Sequence, residues 1–148
     1  MGNQQPDGRR RVSAENGDVY DGCWKSGKKN GEGRYTYANG DEYQGGWRDD
    51  MKHGRGVYKH ASGERYEGNW MMDQKYGYGV LSLCDGSRYE GNFRANHRHG
   101  MGKMLYPDGH TEEGLFSYGI LVSNDEFQVN VDKLVENQSD NATVTEDG

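Results

Sequence analysis

His53, His97 and His99 are the residues of this chain that come nearest to a metal-binding set. His97-Arg98-His99 would place two imidazoles on one side of a strand. Neutral imidazoles so arranged are typical zinc ligands. The positions equivalent to His53 and His99 one repeat apart are, however, filled by Asn30 and Tyr76, so no metal is expected. The Gly-x-Gly runs at 31–33, 54–56, 77–79 and 100–102 have the glycine density of a phosphate loop. No βαβ pattern surrounds them and no Walker lysine-serine follows, so no nucleotide is expected either. Asp49-Asp50 could pass for a catalytic carboxylate pair, but it falls in a turn and reads as solvated. No Ser/His/Asp or Cys/His set stands outside the repeat positions. The chain is therefore expected to be non-enzymatic, with no cofactor and no catalytic residue.

Cys23 falls on the first strand of the first hairpin and Cys84 at the end of the sixth strand of this reading. Five strand steps separate them by ~24 Å, far beyond disulfide reach. Both are expected to be free thiols in a reducing compartment.

The elements that carry these residues are set by a repeat. Tyr20, Tyr43, Tyr66 and Tyr89 open four consecutive 23-residue units without an insertion, and a partial unit starts at Glu112. Asn16-Gly17-Asp18-Val19 is the tail of an earlier unit. Glycine columns recur at Gly22, Gly31, Gly33 and Gly40 of the first unit and at their equivalents. They absorb most of the 24 glycines among the 148 residues, a content more than twice the usual ~7 %.

Within a unit Tyr20, Gly22 and Trp24 alternate with Asp21, Cys23 and Lys25, the period-two signature of a half-buried strand. Tyr35 and Tyr37 and their equivalents continue the apolar face on a second strand. Gly27, Asp50, Asp73, Asn96 and Gly119 share a column of residues that tolerate a left-handed backbone. Asn39-Gly40 and its equivalents mark the turns between hairpins. Tandem hairpins so patterned predict an all-β fold of nine or ten antiparallel strands in one elongated, twisted sheet. The glycines inside strands are expected to permit sharp twist, or to let a ring lie flat over the neighbouring backbone.

The motif Y-x-G-x-W, then G-x-G, then (N/D)-G, recurring in register over residues 17–119, resembles the MORN (membrane occupation and recognition nexus) family. That resemblance implies the same extended sheet, with an aromatic groove. The aromatic strip Tyr20, Trp24, Tyr43, Trp47, Tyr66, Trp70, Tyr89, Phe93 and Phe116 is the candidate partner-binding site, because a contiguous apolar strip of that size marks an interaction surface. Any one of these rings could instead be core, since a one-layer sheet has no other.

Four full units, a terminal Glu113-Gly114-Leu115-Phe116 and a closing helix make the layout similar to small retinophilin-like MORN proteins. Members of that group bind the tail of a class III unconventional myosin in actin-based protrusions. MORN chains also resemble radial-spoke components of cilia and flagella. The expected function is a protein-binding adaptor or scaffold holding a peptide or helix, linked to the cytoskeleton through a myosin tail or an axonemal component.

The alternative is a peripheral, phospholipid-binding module. Charge argues against it. Residues 1–123 carry 17 bases and 17 acids, and the net charge of −6 resides in 124–148. Anionic lipids and nucleic acids both call for clustered Lys and Arg, and the one dense basic run is Arg9–Arg11. Met1-Gly2-Asn3 begins a myristoylation pattern that Pro6 interrupts. With no signal-peptide pattern or long apolar run, the cytoplasm is the expected compartment.

The domain reading is a disordered segment at 1–13, the repeat domain at 14–122, a capping helix at 123–138 and a disordered acidic tail at 139–148. Ser123 to Glu126 reads as a helix-capping box. Phe127, Val131, Leu134 and Val135 follow at helical spacing, although Phe127, Val129 and Val131 also alternate as a strand would.

Overall fold

The computed structural model describes residues 6–122. They form one sheet of eleven strands, ordered as in the sequence, with every neighbouring pair antiparallel. The strands are β1 (Gly8–Ser13), β2 (Val19–Lys25), β3 (Lys28–Thr36), β4 (Glu42–Arg48), β5 (Met51–Lys59) and β6 (Arg65–Met71). They continue as β7 (Gln74–Ser82), β8 (Arg88–Arg94), β9 (His97–Leu105), β10 (Thr111–Ser117) and β11 (Ile120–Leu121). Ten strand steps give the sheet a length of ~48 Å. The predicted capping helix and acidic tail lie outside the described residues.

Two kinds of turn alternate. Within a unit the strands are joined by two residues, both with positive φ: Asp49 and Asp50 at 48° and 68°, Ala95 and Asn96 at 47° and 70°. This is the type I′ geometry that matches strand twist. The Gly27, Asp50, Asp73, Asn96, Gly119 column therefore does what its residue types predicted. The residue before each of them is left-handed too, which the mixed column Ser26, Asp49, Met72, Ala95, Tyr118 did not announce. Between units the chain turns through Tyr37–Asp41, where Gly40 N–H donates to the Tyr37 carbonyl and Tyr37 N–H to that of Asp41, 3.0 and 2.9 Å. The Asn39 side-chain oxygen caps this turn by accepting from Asp41 N–H.

The strand glycines do both things expected of them. Gly22 faces Gly33 across β2 and β3, and a methyl on Gly33 would lie inside the ring of Tyr20. The same holds for Gly56 and Tyr43, Gly79 and Tyr66, and Gly102 and Tyr89. Each tyrosine thus lies flat over a glycine pair. Between Gly22 and Trp24 the register shifts, so that Asn30, Gly31 and Glu32 oppose Cys23 alone. Such a bulge bends and twists its strand, and Gly31 makes it with φ of 94°.

The expectation of disorder over residues 1–13 is corrected for Gly8–Ser13. These residues are β1, paired with β2 from Gly8↔Trp24 to Ser13↔Val19. β1 is the second strand of the earlier unit: Gly8 (φ 105°) stands 23 residues before Gly31 (φ 94°). Arg10 hid this by occupying the Gly33 column. Among the described residues no tyrosine lies over that position, so none of them demands glycine there. Charge suits an edge strand, where it blocks further pairing.

Ring packing and turn geometry can be separated experimentally. Gly56→Ala should cost about 3 kcal/mol or more by overpacking against Tyr43. Gly109→Ala, with φ of 92° and open space around it, should cost about 1–2 kcal/mol of backbone strain. Urea unfolding of the two variants gives both numbers; equal losses would show that the ring does not press on the backbone.

Candidate partner-binding site

The nine rings singled out from the sequence all lie on one face. They form an unbroken zigzag in the order Trp24, Tyr20, Trp47, Tyr43, Trp70, Tyr66, Phe93, Tyr89, Phe116. Each ring meets the next edge to face, with centroids 5.1–5.6 Å apart and planes 82–89° from parallel. This is the arrangement favoured by the ring quadrupoles.

The polar atoms of the rings are spent on backbone. Tyr20, Tyr43, Tyr66 and Tyr89 donate their hydroxyls to the carbonyls three residues on, at 2.7–2.9 Å. Trp47 and Trp70 donate Nε1–H to the Gly33 and Gly56 carbonyls at 3.2 and 3.3 Å. Trp24 Nε1 is enclosed without an acceptor.

A column of cations, which the sequence reading passed over, covers the zigzag. Lys29 Nζ sits 5.3–6.0 Å from the ring centroids of Tyr20, Trp24, Tyr35 and Trp47. Lys52, Lys75 and Arg98 repeat the placement over later units. Cation–π attraction holds the stems over the rings. Asp50 and Asp73, in the left-handed turn column, hold Lys29 and Lys52: each carboxylate takes the backbone N–H at 2.8 Å and Nζ at 3.5 or 3.3 Å. Asn96 takes only the backbone N–H of Lys75. The constant 23-residue spacing of Lys29, Lys52, Lys75 and Arg98 was the available signal.

These contacts correct the candidate site. Eight of its nine rings are core: Tyr43, Tyr66 and Tyr89 are 0 % exposed, and the most open of the eight, Trp47, is 6 % exposed. Only Trp24, at the N-terminal end, is half-buried. A single-layer sheet closes its rings against one another because each tyrosine lies down on glycine and Trp47, Trp70 and Phe93 each wedge between two tyrosines. They offer a partner almost no surface.

The accessible apolar surface of this face is the next row. Tyr35, Tyr37, Tyr58, Leu81, Leu83 and Tyr106 are half-buried and packed on the core. In its N-terminal part Tyr35, Tyr37, Tyr58 and His60 touch along the row: Tyr35 to Tyr37 at 4.4 Å, Tyr37 to Tyr58 at 5.7 Å and Tyr58 to His60 at 4.6 Å between centroids. Asp18 and Asp41 brace the row from the turns. Asp18 accepts from Tyr35 Oη and Ala38 N, and Asp41 from Tyr58 Oη and Ala61 N, at 2.6–2.8 Å. These bonds hold both carboxyls below the usual carboxylate range, Asp18 chiefly through Tyr35 and Asp41 chiefly through the Ala61 amide.

The other face is polar, as expected, and is laced by the ion pairs Arg34–Glu42, Arg55–Glu67, Arg65–Glu67 and Arg88–Glu90. Cys23 and Cys84 are free thiols. His99 Nδ1 accepts from Tyr118 N–H at 3.1 Å. Among the described residues no three His, Cys, Asp or Glu side chains converge as a metal site would require. No helix among them is long and apolar enough to cross a membrane.

An open sheet of tandem hairpins with a self-closed aromatic spine defines a β-repeat protein, quasi-one-dimensional in the sense that each unit packs on its neighbours. The sequence profile of the MORN repeat matches residues 20–42, 43–65, 66–88 and 89–111, the four units in the register of Tyr20. The chain belongs to the MORN repeat family, whose repeats bind rather than catalyse. No curated protein sequence matches it. Among solved structures it is similar to the TCP domain of SAS-4 (dCPAP) from Drosophila melanogaster, in complex with a proline-rich motif of Ana2 (dSTIL). That likeness is at 12 % identity over 78 % of this chain and 85 % of that one, TM-score 0.32. It is also similar to a catalytically inactive virginiamycin B lyase from Staphylococcus aureus with quinupristin, at 11 % identity over 78 % of this chain and 43 % of that one, TM-score 0.22. Both likenesses are too slight to bear on fold or function.

Burial of the tyrosine spine has a consequence in alkali. Desolvation pushes the Tyr89 hydroxyl up to about 12 and those of Tyr20, Tyr43 and Tyr66 higher still. A pKa raised by folding contributes stability that is present below the unfolded value of about 10 and is lost as pH rises through the folded value. Stability should therefore hold to about pH 10 and collapse above about pH 12. Phenolate absorbance from these tyrosines should appear together with loss of the β circular-dichroism signal, and not before it. Early, gradual ionisation of all the tyrosines would contradict the buried spine.

Proposed function

We propose that this chain is a non-enzymatic adaptor that holds a partner peptide or helix along the half-buried row of its aromatic face. The observation that carries the proposal is the row itself. Tyr35, Tyr37, Tyr58, His60, Leu83 and Tyr106 remain open to solvent on top of a core already complete without them. Rigid apolar side chains in such a strip are the usual anchors of protein–protein contacts. The row crosses six strand steps from β3 to β9, ~29 Å. A helix of about 19 residues would run its length, or an extended segment of about nine. Trp24, half-buried at the N-terminal end of the spine, would extend the apolar surface there.

The similarity in layout to retinophilin-like MORN proteins supports a class III myosin tail as the partner. The wider family supports an axonemal component as the alternative protein. Either would place the chain in the cytoplasm with the cytoskeleton, in an actin protrusion or a cilium. The phospholipid reading finds less support. Arg9 and Arg11 pair with Cys23 and Asp21 while Arg10 pairs with Gly22, so the alternating strand divides the basic run between both faces. Arg9 is also engaged by Asp21 at 3.6 Å.

Tyr37→Ser and Leu83→Ser leave the spine untouched and should preserve the fold. Against a class III myosin tail fragment or an axonemal extract, each should weaken capture about tenfold or more, with little dependence on salt. Capture unaffected by both changes would move the site elsewhere. Binding to anionic vesicles that fades steeply with salt, and with Arg9–Arg11 replaced by Gln, would put the phospholipid reading in its place.

A further inference from the structure

The polar face departs from its own repeat in the C-terminal half. At the turn end of β6 and β7, Met71, Met72, Tyr76 and Tyr78 stand where the first unit has Lys25, Ser26, Asn30 and Glu32, and the second Arg48, Asp49, His53 and Arg55. The four are 41–64 % exposed. The first two units form the same hairpin with polar residues, so the fold itself does not need apolar ones here. Met101, Tyr118 and Ile120 extend the exposed apolar surface toward β11. Met71 separates two depressions. One, of about 350 Å³, is lined by Arg48, Asp49, Met51, His53, Met71 and Met72. The other, of about 540 Å³, is lined by Met71, Gln74, Tyr76, Arg94 and Ala95. Arg48 and Arg94 stand at the two outer ends, and neither forms an ion pair among the described residues.

We propose that this Met/Tyr surface is the docking site of the chain's own segment 123–138. Charge, reach and composition support this occupant. Residues 124–148 hold seven carboxylates against Lys133 alone, opposite in sign to Arg48 and Arg94. Asp49 is the one carboxylate lining either depression. The described chain ends at Val122, whose N–H donates to the Leu115 carbonyl at 2.8 Å. It thus leaves the sheet beside Ile120, at the border of the surface. From β11 back to β6 is five strand steps, ~24 Å, which about seven extended residues span. Phe127, Val131, Leu134 and Val135 supply the apolar side chains, and Asp125, Glu126, Asp132 and Glu136 flank them with the carboxylates. Methionine is the side chain that adapts to such a contact. The surface lies on the face opposite the tyrosine row, so docking there leaves the proposed adaptor site open.

Hydrogen exchange of the full chain tests this directly. In the wild type the amides of 127–135 should exchange at least tenfold more slowly than in a Met71→Glu, Tyr76→Glu double variant. Both changes are at exposed positions and should leave the far-ultraviolet spectrum unaltered. Arg94→Glu, which touches no apolar contact, should release the same amides at low salt. Rapid exchange of 127–135 in the wild type would overturn the proposal. So would protection that survives all of these changes, which would mean that the segment folds on itself or elsewhere. Sedimentation separates the remaining occupant: a wild-type dimer that Met71→Glu, Tyr76→Glu converts to monomer would assign the surface to a second copy and overturn docking within one chain.

Discussion

A sheet with one layer has no opposite layer to cover its apolar face, and the architecture follows from how that face is closed. Each tyrosine of the Tyr20 column lies flat on two glycines and bonds to its own strand's carbonyl. Lying down, it exposes its ring faces and edges sideways, where the Trp24-column rings of its own and the following unit meet it. The glycines matter for the space they leave rather than for flexibility alone. Without a Cβ at Gly33 or Gly56 the ring can reach backbone contact; with one it must stand up and the zigzag is broken. That close approach explains why a chain with few aliphatic residues can still hold a core.

The rest of each unit supports this stack. The type I′ turn brings an Asp or Asn side chain back to the lysine near the start of the preceding hairpin's second strand, and the lysine stem then lies over the rings. Turn residue, cation and aromatic pair are one device repeated along the sheet. The device is graded: carboxylates neutralise Lys29 and Lys52, a neutral amide faces Lys75, and the Gly119 carbonyl faces Arg98. Burial correspondingly depresses the Lys75 pKa.

Because the units share one structural solution, their differences are informative. A residue that changes chemistry from unit to unit at a position outside the stack is free of structural duty. On the aromatic face the row beside the spine reads Tyr37, His60, Leu83 and Tyr106 from unit to unit. On the polar face the third unit alone puts two methionines and two tyrosines at the turn end. Both surfaces lie on the backbone of a rigid repeat, which sets their spacing without help from loops.

The 23-residue period, the strand alternation and the turn chemistry were legible in the sequence because they are local: each depends on residues adjacent in the chain or one unit away. They determined the hairpins, their order and the family. The sequence also picked out the nine rings as a set sharing one face. What it did not decide was whether those rings are surface or interior. Alternation tells which side of a strand a ring leaves from, but not whether it stands up or lies down. That depends on the cross-strand Gly22–Gly33 register, on the bulge at Gly31 and on Lys29 reaching over from the neighbouring strand. The same limit hid β1, since Arg10 breaks the glycine pattern where no ring of the described residues needs the space. Tertiary packing alone turned the predicted groove into a core, and moved the open surface to the row beside it.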